Sequence, residues 1–168
     1  GMLEINETGS HFFESKATSE WIKLMLSHLS KKDGETKKNA NVAFEIEALM
    51  SKIPRRSQVI LFIDLFQENL EEILDSAALL AFEGHSVRCT FISHAKLEQN
   101  EEYFAGRQVI DSETGSKAYM NQNDAKRYVS FVEAQKERAI TLSRNLNLNC
   151  KILDASHEPM YLLRELLA

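Results

Sequence analysis

The chain has 168 residues, with 43% hydrophobic and 27% charged side chains and a formal net charge of -5. That is the size and composition of one ordinary folded domain and argues against disorder. An acidic balance without a lysine/arginine stripe excludes a nucleic-acid footprint, and no run of about 18 apolar residues marks a membrane span.

The opening GMLEINETGS has neither a basic nor an apolar leader pattern. No signal peptide is expected, and Gly1 ahead of Met2 reads as a cleavage remnant. The two cysteines, Cys89 and Cys150, have neither metal-ligand nor C-x-x-C spacing. They read as free thiols and small buried hydrophobes in a reducing, cytoplasmic setting.

In chain order, Leu3–Asn6 and His11–Glu14 read as hairpin arms about a Thr8-Gly9-Ser10 turn. Thr18 or Ser19 caps a helix whose face is Trp21, Met25 and Leu29. The KKDGETKK stretch from Lys31 to Lys38 is a charged loop. Val42, Ile46, Leu49, Met50 and Ile53 share one face of a second helix, which Pro54 closes.

Val59–Ile63 is a continuous apolar run, which predicts a strand buried on both faces in the middle of a parallel sheet and ending at Asp64. Leu70, Ile73, Leu74, Ala77 and Leu80 form the inward face of the next helix, with Gly84 as its stop. Val87–Ser93 then alternates, with Val87, Cys89 and Phe91 on one side. Together these pieces make a βαβ unit. The polar segment from Ala95 to Met120 holds a second hairpin, turning at Glu113–Gly115. A long helix begins near Asn123 or Asp124, with Tyr128, Phe131, Val132, Ala139, Leu142 and Leu146 inward. Cys150–Leu153 is a last strand. Pro159 starts a terminal helix carrying Tyr161, Leu162, Leu166 and Leu167. With no internal repeat or linker, the pattern implies one α/β domain over residues 2–168 around a mostly parallel sheet.

The segment RRSQVILFIDLFQENLEEILDSAALLAFEGHSVRCTFIS resembles the core of bacterial von Willebrand factor A-like proteins of the domain of unknown function 58 family. Asp111-Ser112-Glu113-Thr114-Gly115 is similar to that family's D-x-E-T-G hairpin, and LNLNCKILDASHEPMYLLRELL to its C-terminal ending. The resemblance runs in the family's order from about Leu3 to Ala168. It implies a doubly wound, Rossmann-like sheet whose strand C-termini can hold a divalent cation. It also implies a small hairpin insertion.

The chain departs from the family where the metal would sit. No D-x-S-x-S occurs, and the family's usual first strand is missing. The second loop aligns with Asn39-Ala40-Asn41-Val42, without its Thr, which leaves Asp64 alone. One carboxylate does not make a Mg²⁺ site, so neither metal nor cofactor is expected. A missing central strand leaves an edge that either closes around Val59–Ile63 or pairs in a homodimer.

The histidines lack H-E-x-x-H context, and neither G-x-S-x-G nor G-x-G-x-x-G is present. A non-catalytic protein-interaction module is therefore the leading expectation. By resemblance its partner is a MoxR-type AAA+ ATPase, with which such proteins act as assembly or chaperone-like factors. The candidate partner-binding rim is Asp64, Leu65, Gln67, Ser93 and His94. The candidate hairpin surface is Glu113, Thr114 and Lys117. The competing reading makes Asp64 a solvated strand-end or helix-capping carboxylate, and Ser93 and His94 ordinary loop polar residues. Two other functions stay open: a hydrolase using Asp64 with His94 or Asp154, and a fragment of a Mg-dependent adhesion-type domain.

Overall fold

The computed structural model describes residues 1–6, 9–14, 16, 18–29, 41–110 and 115–167. They form two compact units, Gly1–Glu45 and Ile46–Ala168.

The first unit begins with the antiparallel strands β1 (Met2–Asn6) and β2 (Gly9–Phe13). Of the expected Thr8-Gly9-Ser10 turn, Gly9 and Ser10 belong to the ladder, pairing with Asn6 and Ile5, and Thr8 lies outside the described residues. Helix α1 (Ser19–Leu29) starts at Thr18, whose Oγ1 accepts from the Trp21 N–H at 3.3 Å. Hairpin and helix meet through rings. Phe13 lies edge-on to His11 and to His28, with centroids 4.3 and 4.8 Å away, and 5.9 Å from Trp21. Glu4 Oε2 contacts His28 Nε2. The side chains of Met25 and Leu29 and the Lys31–Lys38 stretch lie outside the described residues.

Helix α2 (Val42–Leu49) spans the boundary between the units, with Asn41 Oδ1 accepting from Phe44 N. It ends at Leu49 instead of continuing to Ile53. Lys52 and Ile53 both donate to the Leu49 carbonyl as the chain turns into Pro54, which restrains the residue before it. Ile46 and Leu49 are buried, as their spacing requires.

The second unit is built on a three-stranded parallel sheet ordered β3 (Gln58–Asp64), β4 (Ser86–Ser93), β7 (Asn149–Asp154). Val59, Leu61 and Ile63 pair in register with Val87, Cys89 and Phe91. Cys89 and Phe91 pair in turn with Cys150 and Ile152. Helix α3 (Leu70–Phe82) buries Leu70, Ile73, Leu74, Ala77 and Leu80, the face expected from their spacing. It stops at Gly84, whose φ of +91° costs glycine little, while His85 N closes back on the Leu80 carbonyl.

Helix α6 (Gln122–Asn145) is the longest element. Asn121 Oδ1 accepts from the N–H groups of Asn123 and Asp124, and Asp124 Oδ2 accepts from Asn121 N. This reciprocal capping box satisfies donors that would otherwise have no helical partner. Asn121→Ala is expected to cost about 1 kcal/mol, read as a lower urea midpoint with an unchanged slope; an unchanged midpoint would show that the cap contributes nothing. The buried stripe of α6 is Ala125, Val132, Lys136, Ala139 and Ser143. Phe131, expected inward, is half exposed.

Helices lie over both faces of β7. Ile140 and Arg144 of α6 line a groove with Cys150 and Ile152. On the opposite face, Lys151 Nζ donates to the Glu165 carbonyl of α7 (Pro159–Leu167). Tyr161, expected inward on α7, is half exposed. The unit is thus a mixed α/β layer structure compatible with a Rossmann-like fold. Among the described residues no helix is long and apolar enough to cross a membrane.

One expectation for the sheet is overturned. Among the described residues strand β3 is an edge strand, and it is not buried on both faces. Phe62 is 60% exposed and Asp64 is exposed. An apolar run reports a strand's affinity for a core; its place in the strand order depends on which strands flank it.

Two short helices that the sequence pattern does not announce, α4 (Ala95–Glu98) and α5 (Glu101–Phe104), follow β4. The expected second hairpin then forms from β5 (Arg107–Ile110) and β6 (Lys117–Met120), with Ile110 opposite Lys117.

Candidate functional site

The strand C-termini bring Asp64, Ser93 and Asp154 to one edge of the sheet, since Asp64 pairs with Ile92 and Ser93 with Asp154. Asp64 ends β3 and accepts from Phe66 N on Oδ1 at 2.9 Å. It therefore turns the chain but caps no helix, since α3 begins at Leu70 with Asn69 as its N-cap. Leu65, a candidate contact, is 1% exposed and belongs to the core. It continues the inward alternation of Val59 and Ile63, opposite exposed Asp64. Gln67 is exposed.

Ser93 is also buried and cannot meet a partner directly. Its Oγ donates to Glu98 Oε2 at 2.9 Å and its carbonyl accepts from Ala155 N at 2.7 Å, so it ties β4 to α4 and to the chain after β7. His94 is half-buried and stands at the start of α4, with its carbonyl accepting from Leu97 and Glu98. Its buried Nδ1 has no hydrogen-bond partner.

Asp154 is the better-built carboxylate. Its Oδ1 accepts from Ala95 N at 3.0 Å and Ser156 N at 2.9 Å. Burial pushes the carboxyl up, but the Ser156 and Ala95 N–H groups, the Ser156 hydroxyl and His157 outweigh it, holding Asp154 below its usual range.

Asp64 is held by a backbone donor of its own turn, and Asp154 by one of its own turn and by Ala95 N at the start of α4. A divalent cation needs several oxygen ligands in fixed geometry. Asp64 supplies one carboxylate with one oxygen already engaged, and among the described residues no three His, Cys, Asp or Glu side chains gather to hold a metal. The rim residues do not fit the cation site that the resemblance implies.

The rim's exposed feature is aromatic. Phe66, next to Asp64, stacks on Phe131 of α6 with centroids 5.9 Å apart and planes 16° from parallel. The two rings remain 40% and 50% exposed. Neither ring was a sequence candidate. The signal for Phe66 was the Asp-Leu-Phe triplet, in which one of two adjacent apolar residues must face out.

The second hairpin is anchored through its lead-in. Tyr103 and Phe104 of α5 are edge-on, Phe104 meets Tyr128 of α6, and the Arg107 guanidinium lies 5.1 Å over the Tyr103 ring. Lys117 is exposed on β6. Glu113 and Thr114 lie outside the described residues.

The two cysteines, 61 positions apart in sequence, are register partners on β4 and β7. Burial, with Cys150 alongside, pushes the Cys89 thiol up to about 12, and burial also raises Cys150. Both are thereby kept as thiols, as small core side chains are.

No protein-family model, no curated protein and no solved structure matches the chain.

Proposed function

We propose that the chain is a non-catalytic protein-interaction module, and that its α/β unit is a von Willebrand factor A-like domain of the domain of unknown function 58 type. In this reading it works in the cytoplasm as an assembly or chaperone-like partner of a MoxR-type AAA+ ATPase. The carrying observation is the exposed Phe66–Phe131 stack beside Asp64 and Gln67. Rigid aromatic side chains are enriched at protein interfaces and supply most of the affinity from few residues. Exposed Asp64 and Gln67 give that patch a polar border. The backbone donors that hold Asp64 and Asp154 support reading these carboxylates as fixed parts of a binding rim.

The test is direct titration of the purified chain with a MoxR-type ATPase from the same organism. Phe66→Ala and Phe131→Ala are each expected to weaken the complex about tenfold or more, with the circular dichroism spectrum preserved. No measurable complex, or equal affinity for both variants and the parent, defeats the reading.

A further inference from the structure

We propose that two copies of this chain pair through the outer edge of β3, antiparallel about a two-fold axis at Leu61, to make one continuous six-stranded sheet. The edge exists: β3 pairs with β4 on one side, and among the described residues no strand pairs on the other. An unpaired strand presents a row of N–H and C=O groups that recruits another strand unless charge, proline or a bulge blunts it. Strand β3 reads QVILFID, with no proline and no charge before Asp64 at its end. The other edge strand among the described residues, β7, carries a charged side chain, Lys151, mid-strand. The two edges of the sheet are therefore unequal, and among the described residues β3 is the one with neither a strand partner nor a charge before its end.

The sequence of β3 also selects its occupant. With the axis at Leu61, Val59 faces Ile63 of the second copy, Ile60 faces Phe62, and Leu61 faces Leu61. Gln58 then lies opposite Asp64 at each end, so every apolar side chain meets an apolar one and no like charges oppose. Directly opposite residues share a face. Even spacing about Leu61 therefore keeps the buried Val59/Ile63 face continuous with its symmetry mate, as the strand period requires. Sliding by two residues in one direction sets Ile60 against Asp64; sliding in the other sets Gln58 against Phe62. A contact of this kind is isologous and closes after two copies. It also accounts for Phe62, 60% exposed in the middle of a strand, by giving it Ile60 of the second copy as a cross-strand neighbour.

This inference is independent of the Phe66–Phe131 reading, because it is tested with no other protein present. Sedimentation velocity of the full chain across a wide concentration range should show a dimer. Phe62→Lys should weaken it about tenfold or more, since the charge enters two symmetric apolar pairs. Register is read separately: a variant carrying both Ile60→Cys and Phe62→Cys should form a disulfide-linked dimer under mild oxidation, whereas Phe62→Cys alone should not. A compact monomer at every concentration overturns the proposal. So does a dimer that neither cross-links between positions 60 and 62 nor responds to Phe62→Lys. Should Phe62→Lys fail to fold, the parent's mass and the cross-linking pattern still decide.

Discussion

Replacing Phe91 by alanine is expected to remove about 3–5 kcal/mol of stability, the largest effect of any single truncation considered for this protein. Phe91 is completely buried on β4, the central strand of the sheet. It pairs with Ile63 on one side and Ile152 on the other, on the sheet face that carries Val87 and Cys89. Truncation removes the ring's transfer free energy and leaves a cavity that three paired strands cannot collapse to fill. Whole domains are stable by about 5–15 kcal/mol, so this one change consumes a large share and brings the α/β unit close to unfolding. The control is Phe82→Ala, the same chemistry on α3 at a ring that is 83% exposed. That change should move stability by no more than about 0.5 kcal/mol. Urea unfolding followed by far-ultraviolet circular dichroism separates the two. Equal midpoints would refute the placement of β4 at the centre of the core.

Removing the Asp154 carboxylate should cost about 1–2 kcal/mol at neutral pH, because two backbone donors, Ala95 N and Ser156 N, lose their acceptor. About a quarter of the side chain is exposed, which places the cost at the lower end. The pH dependence follows from the same contacts. The native carboxyl titrates below its usual value of 3.8, so the unfolded chain takes up the proton first as pH falls. The stabilisation is fully present above that value and is lost as pH drops through the lower native one. Asp154→Asn keeps an acceptor oxygen but cannot titrate. It should lose less stability than Asp154→Ala at pH 7 and should flatten the acid limb of the stability curve. Parallel urea titrations at neutral and acid pH check both effects. An acid limb identical in parent and Asp154→Asn would remove Asp154 from the linkage.

The rim and the edge strand make different demands on the same small sheet. Binding at Phe66 and Phe131 needs those rings free at the strand ends, whereas pairing along β3 uses the side of the sheet. Because the two surfaces are separated by the Asp64–Phe66 turn, each can be altered by one substitution without removing the other.

How much of this was legible in the amino-acid order depended on whether a feature is local. The spacing of Leu70, Ile73, Leu74, Ala77 and Leu80 identified the buried face of α3, because helical period and burial are properties of one segment. The alternation of Val87, Cys89 and Phe91, the second hairpin and the stop at Gly84 were readable for the same reason. The candidate site was only partly readable. Asp64 and Gln67 are exposed, but Leu65 and Ser93 are buried, since they continue the inward alternation of Val59 and Ile63 and of Val87, Cys89 and Phe91.

Features that depend on a neighbour could not be read this way. On α6 the inward stripe is set by close approach to the rest of the unit, so Ala125, Lys136 and Ser143 are covered while Phe131 turns out to meet Phe66. Cys89 and Cys150 are adjacent only because β7 aligns beside β4 in that register. The apolar run Val59–Ile63 determined that a strand would form there. Strand order then made it an edge, because hydrophobic burial is non-directional and does not specify which chain supplies the cover.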